Sequence, residues 1–232
     1  GIISLGTELV APGELPARGQ IRDSNSSALM AEALNAGAEP VFYGIAPDDE
    51  QAIAELVHRA VQECDFVITS GGASAGDYDY VTALVRREGE VLFDRISIRP
   101  GKAITFGLLG GKPYLGLSGN PAAAYVGFEM LARPAIRKMR GFAEVARPVQ
   151  QARLTHGVKK RQHRRFFDRA TVLRDPETGE LLVTEAKTQN SALLGTMQRA
   201  NCLLRIDEGP CELKAGDAVD VVRVDLPEGA VL

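Results

Sequence analysis

Cysteine is scarce in this sequence, and what little there is forms no pattern. Cys64, Cys202 and Cys211 are odd in number, widely spaced and free of any C-x-x-C pair. Neither a disulfide framework nor a zinc knuckle is supported, so the three read as small buried hydrophobes in a reducing, cytoplasmic setting. A dominant charge is missing too: the formal net charge is −3, and nothing global argues for nucleic acid or an anionic membrane. The basic run Lys159-Lys160-Arg161-Gln162-His163-Arg164-Arg165 lacks interleaved aromatics and reads as a solvated β-hairpin rather than a nucleic-acid grip. No apolar run approaches the roughly 20 residues that cross a bilayer, so no membrane span is expected. The opening Gly1-Ile2-Ile3-Ser4-Leu5-Gly6 has no basic n-region and reads as a core strand, not a signal peptide. A strand at the very start suggests a fragment whose upstream domains are absent. Metal-ligand spacing is also lacking: His156 and His163 pair with no cysteine, and His58 reads as a surface residue without a partner.

What is present suits a globular chain. Of the 232 residues, 45% are hydrophobic and 25% charged, enough for one typical domain plus a small one. Ile2 to Leu5, Val41 to Ile45 and Phe66 to Thr69 read as strands. Between them lie two helical patterns, one with N-cap oxygens on Asp23, Ser24 and Asn25, the other behind Asp48-Asp49-Glu50. Helix signals resume from Tyr80 to Arg87, and two or three strands follow between Val91 and Leu117, with Gly110-Gly111 as a hairpin turn. Pro121 to Arg140 reads as one helix with Tyr125, Phe128, Leu131, Ile136 and Met139 facing inward. This order predicts an α/β domain over residues 1–144 with a mostly parallel sheet and ligand-binding loops on one edge. Beyond a linker marked by Pro148, short strands predict a small all-β domain over residues 148–232.

Three constellations carry chemistry. In the first, Ser70-Gly71-Gly72-Ala73-Ser74-Ala75-Gly76-Asp77-Tyr78-Asp79, glycines just past a strand end let backbone amides turn toward an anion. Ser70 and Ser74 add hydroxyl donors, while Asp77 and Asp79 offer hard oxygens to magnesium. The second, Arg99-Pro100-Gly101-Lys102, sets two cations about a rigid turn. In the third, Ser118-Gly119-Asn120-Pro121, Asn120 can cap a helix and Pro121 can occupy its first turn. Taken singly, each also reads as ordinary structure: a tight loop with capping aspartates, a surface turn, a helix cap.

In this order and spacing the three strongly resemble the molybdopterin molybdenumtransferases, a family that includes the bacterial enzyme and the gephyrin E domain. Ser4-Leu5-Gly6-Thr7-Glu8-Leu9 and Gln20-Ile21-Arg22-Asp23-Ser24-Asn25 fit the same pattern. The resemblance implies a three-layer molybdopterin-binding α/β domain followed by a small β-barrel-like domain. It implies a homodimer whose further N-terminal domains complete the cleft, and a magnesium-dependent step in which adenylylated molybdopterin loses AMP and molybdate is transferred to the dithiolene sulfurs. Molybdopterin adenylyltransferase and acceptor molybdoenzymes are the implied partners.

Carried over by position, Asp79 matches the essential acidic residue and a magnesium ligand, and Glu8 and Asp49 (or Asp48) match acidic positions lining the cleft. Ser70, Gly71, Gly72, Ser74 and Asp77, with Ser118, Gly119, Asn120 and Pro121, match the pterin-phosphate side. Lys102 matches a molybdate-binding lysine, Arg99 stands where many members have lysine, and Arg164 and Ser191 match oxyanion positions of the small domain. Three residues depart from the pattern: Ser118 and Ala103 replace prolines, and Ala123 replaces a serine near molybdate. A lost neutral donor weakens oxyanion binding by roughly 0.5–1.5 kcal/mol, too little to abolish activity. Two other readings share the sequence: a molybdopterin adenylyltransferase, and a non-catalytic carrier or scaffold for the pterin.

Overall fold

The computed structural model describes residues 1–72 and 80–230. It divides into two compact units, Gly1–Ile96 with Gly101–Phe142, and Ser97–Pro100 with Ala143–Leu232.

The first unit opens with β1 (Ile2–Leu5), then the short parallel pair β2 (Leu9–Val10) and β3 (Ile21–Arg22), and α1 (Asn25–Asn35). There follow β4 (Phe42–Ala46), α2 (Glu50–Glu63), β5 (Val67–Ser70), α3 (Tyr80–Glu88) and β6 (Gly89–Arg95). After β7 (Ile98–Arg99), which belongs to the second unit, come β8 (Ala103–Leu109), β9 (Lys112–Leu117) and α4 (Pro121–Gly127). A π-turn (Phe128–Ala132) then leads into α5 (Arg133–Met139). The sheet runs β4-β1-β5-β9-β8-β6. Its first four strands are parallel, and β8 and β6 close it as antiparallel neighbours. The inner parallel strands β1 and β5 are buried along their whole length, which is why they read as short apolar runs. Ile3, Leu5 and Val67 pack with Ile53 and Val57 of α2 and Val81 and Leu84 of α3. α1, α4 and α5 pack together as a separate group of helices.

Local chemistry explains most boundaries. The Asp49 carboxylate accepts from Ala52 N at 2.9 Å and starts α2. Gly110 and Gly111 both have positive φ, as a tight turn between β8 and β9 requires. Asp23, not Ser24 or Asn25, supplies the cap oxygen of α1, accepting from Ser26 N at 3.1 Å. The expected helix to Arg140 is broken by the π-turn, where Glu129 and Arg133 are buried within 3.9 Å of each other. That extra residue rotates the apolar stripe. Met139 is consequently exposed, while Ala122, Ala124, Val126 and Phe128 are buried.

The second unit contains β10 (Val149–Leu154), β11 (Val158–Lys160), β12 (Arg165–Arg174) and β13 (Leu181–Glu185). These are followed by α6 (Gly195–Arg199), β14 (Cys202–Ile206), β15 (Cys211–Leu213) and β16 (Ala218–Arg223). The order β13-β10-β16-β14-β12, with β12 returning to β13, closes a barrel, and β7 adds to β12 in parallel. Phe166, Ala170 and Val172 of β12 alternate into its core beside Val183, Leu204 and Val221. Two expectations for this region are corrected. The basic run is not a solvated hairpin, because β11 pairs with β15 and Lys160 is buried. Pro148 is already part of the barrel, its carbonyl accepting from Arg223 N at 2.8 Å. In the first unit, His58 has a partner after all: its Nε2 lies 2.5 Å from Glu88 Oε2.

Candidate functional site

Because β4, β1, β5 and β9 are parallel, their C-terminal ends deliver four loops to one edge of the sheet: Gly6-Thr7-Glu8, Pro47-Asp48-Asp49, Gly71-Gly72 and Ser118-Gly119-Asn120. These loops are tied to one another. Thr7 and Asp48 exchange hydrogen bonds, Thr7 N to Asp48 Oδ2 at 3.2 Å and Asp48 N to Thr7 Oγ1 at 3.0 Å. Gly71 N donates to Leu117 O at 3.0 Å. Asn25, at the start of α1, reaches under the edge and donates to Ser70 Oγ at 2.7 Å and Gly119 O at 2.9 Å.

Glycine is required at the centre of this edge. Gly71 has φ +100°, and a Cβ there would stand 2.1 Å from the Leu5 carbonyl oxygen. Gly119 packs against it, its would-be Cβ 3.5 Å from Gly71 Cα, an ordinary contact distance. The backbone itself forms the floor, as close approach to an anionic ligand demands.

The residues expected at the site fare differently. Ser70 is buried and serves the brace, while Gly71, Gly72, Ser118, Gly119 and Asn120 lie along the edge. Pro121 opens α4 as expected, but the Asn120 side chain makes no cap bond; Ser118 Oγ instead accepts from Asn120 N at 3.3 Å. Glu8 folds back over Gly6. Of the two neighbouring aspartates, Asp49 is committed to capping α2 and Asp48 to holding Thr7. The Lys102 turn reaches the same region, since a Cβ on Gly101 would sit 3.4 Å from Ala123 O in the first turn of α4. Lys102 itself is exposed. Ser74, Asp77 and Asp79 lie outside the described residues. Among the described residues no three His, Cys, Asp or Glu side chains are grouped to hold a metal ion.

The other expected anion ligands are in the second unit. The Arg99 guanidinium stacks over the Phe166 ring at 4.5 Å, and Lys160 Nζ lies 5.1 Å from the same ring. Lys160 also donates to Arg164 O at 2.9 Å and to Asp207 O. Arg164 donates from Nη2 to Gln162 Oε1 at 2.7 Å and from Nη1 to Ile98 O at 3.4 Å. The loop carrying Ser191 is latched by buried Arg169, whose Nη2 donates to Asn190 O at 3.2 Å and whose N–H donates to Gln189 Oε1 at 3.0 Å.

The first unit matches the family model described as "Probable molybdopterin binding domain" over residues 1–138. The chain belongs to the molybdopterin-binding domain family. The model "MoeA C-terminal region (domain IV)" matches residues 151–224. Among curated relatives, the Staphylococcus aureus (strain COL) "Molybdopterin molybdenumtransferase" is 33% identical over 95% of this chain. The Bacillus subtilis (strain 168) protein of the same name is 33% identical over 99%. These alignments cover 52% and 53% of the two relatives, so the chain spans about half the length of the proteins it matches. Among solved structures, the molybdopterin biosynthesis moea protein of Pyrococcus horikosii superposes with TM-score 0.80 and 30% identity, over 96% of this chain and 53% of that one.

Three contributors escaped the sequence reading of this molybdopterin-binding chain. Asn25 was read as a helix cap, but its role as a brace depends on strands 45 and 94 residues away. Arg169 looks like any arginine in a strand until its loop folds over it. Asp168 did leave a signal: a charged residue at an inward position of the alternating run Phe166-x-Asp168-x-Ala170-x-Val172.

Proposed function

We propose that this chain carries the pterin-handling and oxyanion-handling parts of a molybdopterin molybdenumtransferase acting in molybdenum cofactor biosynthesis. Adenylylated molybdopterin binds at the C-terminal edge of the first unit's sheet. Water attacks its phosphoanhydride bond so that AMP leaves and the pterin keeps its phosphate, and molybdate then binds the two dithiolene sulfurs while releasing oxygen as water. The observation that carries this reading is the glycine-floored edge, where Gly71 and Gly119 meet back to back and Asn25 holds them from beneath. A phosphate resting there meets backbone rather than side chains.

Within this proposal Ser70, Gly71, Gly72, Ser74, Asp77 and Ser118 to Pro121 cradle the pterin phosphate, and Asp79 is the acidic group beside the bond that breaks. Glu8 lines the cleft, and Asp49 contributes as the helix-capping wall. Lys102 is assigned to molybdate; Arg99, Arg164 and Ser191, all in the second unit, are assigned to oxyanion binding. Magnesium enters through Asp77 and Asp79, where it would offset phosphate charge. A homodimer in the cytoplasm, supplied by an adenylyltransferase and delivering to acceptor molybdoenzymes, completes the proposal.

The test is AMP release from adenylylated molybdopterin by the natural full-length protein with magnesium and molybdate. Asp79→Asn is expected to slow release by about 100-fold or more. Pterin binding with no AMP release, unchanged in Asp79→Asn, would establish the carrier reading instead. Adenylylation of free molybdopterin from ATP would establish the adenylyltransferase reading.

A further inference from the structure

The end of the barrel that holds Arg99 contains a carboxylate that the proposed activity does not use. Asp168 is 2% exposed. It lies on the same face of β12 as Phe166, two residues away, and Phe166 is both the register partner of Arg99 and the ring under its guanidinium. A carboxylate buried this deeply is costly, and it persists where charge compensation or function requires it.

We propose that Asp168 couples anion binding at Arg99 to proton uptake: ionised, it tempers the guanidinium, and it accepts a proton when a tetrahedral dianion arrives. This rests on the reading of Arg99 as an anion ligand.

The charges around Asp168 come from several strands. Arg99 stands on β7, Lys160 on β11, Arg169 beside it on β12, and Glu185 at the end of β13, pairing across from Ala170 on the same barrel face. Behind Glu185, His156 Nε2 approaches within 3.7 Å from the more exposed side. On β14 the residue opposite Asp168 is Leu204, which is apolar. Three cations face two carboxylates, so protonating Asp168 raises the local net charge from +1 to +2. Burial, and then the charge of Glu185, push the Asp168 carboxyl up to about 7, against the opposing pull of Arg99, Arg169 and Lys160. The group therefore changes charge where a cell works, and a dianion on Arg99 favours its neutral form. By linkage, the anion and the proton bind each other's state more tightly.

Calorimetric titration of sodium molybdate into the natural full-length protein, near pH 7 and in two buffers of different ionisation enthalpy, tests this. Wild type is expected to take up about half a proton per anion bound, and its affinity should fall several-fold from about pH 6 to about pH 8. Asp168→Asn, isosteric and neutral, should take up none and bind with a flat pH profile. Binding without proton uptake in wild type, or uptake that survives in Asp168→Asn and so belongs to His156 or Glu185, overturns the coupling and leaves the Arg99 reading intact. No molybdate binding, or wild-type affinity in Arg99→Gln, overturns both. Should Asp168→Asn not fold, the carbon-13 carboxyl signal of Asp168 in wild type replaces it: its titration midpoint should move up on adding molybdate, and an unmoved midpoint refutes the proposal.

Discussion

Single positions in this chain answer to neighbours far away in sequence. Gly71 is fixed by the Leu5 carbonyl across the β1–β5 pairing, where no Cβ fits. Cys202, fully buried, has its thiol pushed up to about 12 chiefly by burial, in keeping with a cysteine that packs rather than reacts. Burial raises Asp168 in the same way, but there it penalises a charge that the unfolded chain carries freely near neutral pH. An unfolded aspartate ionises near 4, whereas the folded one holds its proton to about 7. Across that window the native state binds more protons than the unfolded state, so stability falls as pH rises and stays reduced above it. Asp168→Asn is therefore expected to stabilise the protein at pH 8 by on the order of 4 kcal/mol, with little gain near pH 4. Urea unfolding at both pH values checks this; equal gains at the two would show that Asp168 is not held neutral.

Among the elements, loops are set by the side chains that lock them as much as by their own residues. The segment from Thr188 to Ser191 follows β13 without regular structure, yet Arg169 grips it through the carbonyls of Thr188 and Asn190, and Gln189 returns two bonds to the Arg169 backbone. Replacing Arg169 by Met removes the one nitrogen, Nη2, that donates to both carbonyls. Amides 188–191 are then expected to exchange several-fold faster in hydrogen–deuterium measurements, while β14 and β16 keep their protection. Unchanged exchange would place the anchor elsewhere. At the sheet edge Asn25 does similar work for Ser70 and Gly119, joining the first helix to the ends of β5 and β9.

Considered whole, the molecule is two units threaded unevenly. The chain leaves the first at Ser97, returns at Gly101 and leaves again at Ala143. The excursion is short but contributes strand β7, which donates Arg99 to the Phe166 ring and takes a hydrogen bond from Arg165 N through Ser97 O at 2.9 Å. Residues 143–232 expressed without it are expected to be less stable by about 2 kcal/mol than the same residues with Ser97–Pro100 tethered back. The difference in urea midpoint reads this directly, and identical midpoints would make β7 a passenger.

How much of this was legible follows from how local each cause is. Apolar runs, cap residues and paired glycines act within a few residues, so β1, β5, α2 and the β8–β9 turn are written in the sequence, as is the change from an α/β to an all-β domain. The ordered spacing of the Gly71, Lys102 and Asn120 segments also pointed to the molybdopterin-binding family before any fold was known. Only tertiary structure decided that Asn25 braces the edge rather than caps a helix, that Lys160 is buried in a run of surface-like cations, that Met139 turns outward past a π-turn, and that Asp168 is buried among charges from several strands. Each of those outcomes depends on desolvation or a hydrogen bond imposed by a partner distant along the chain, and such an environment exists only once the chain has closed around it.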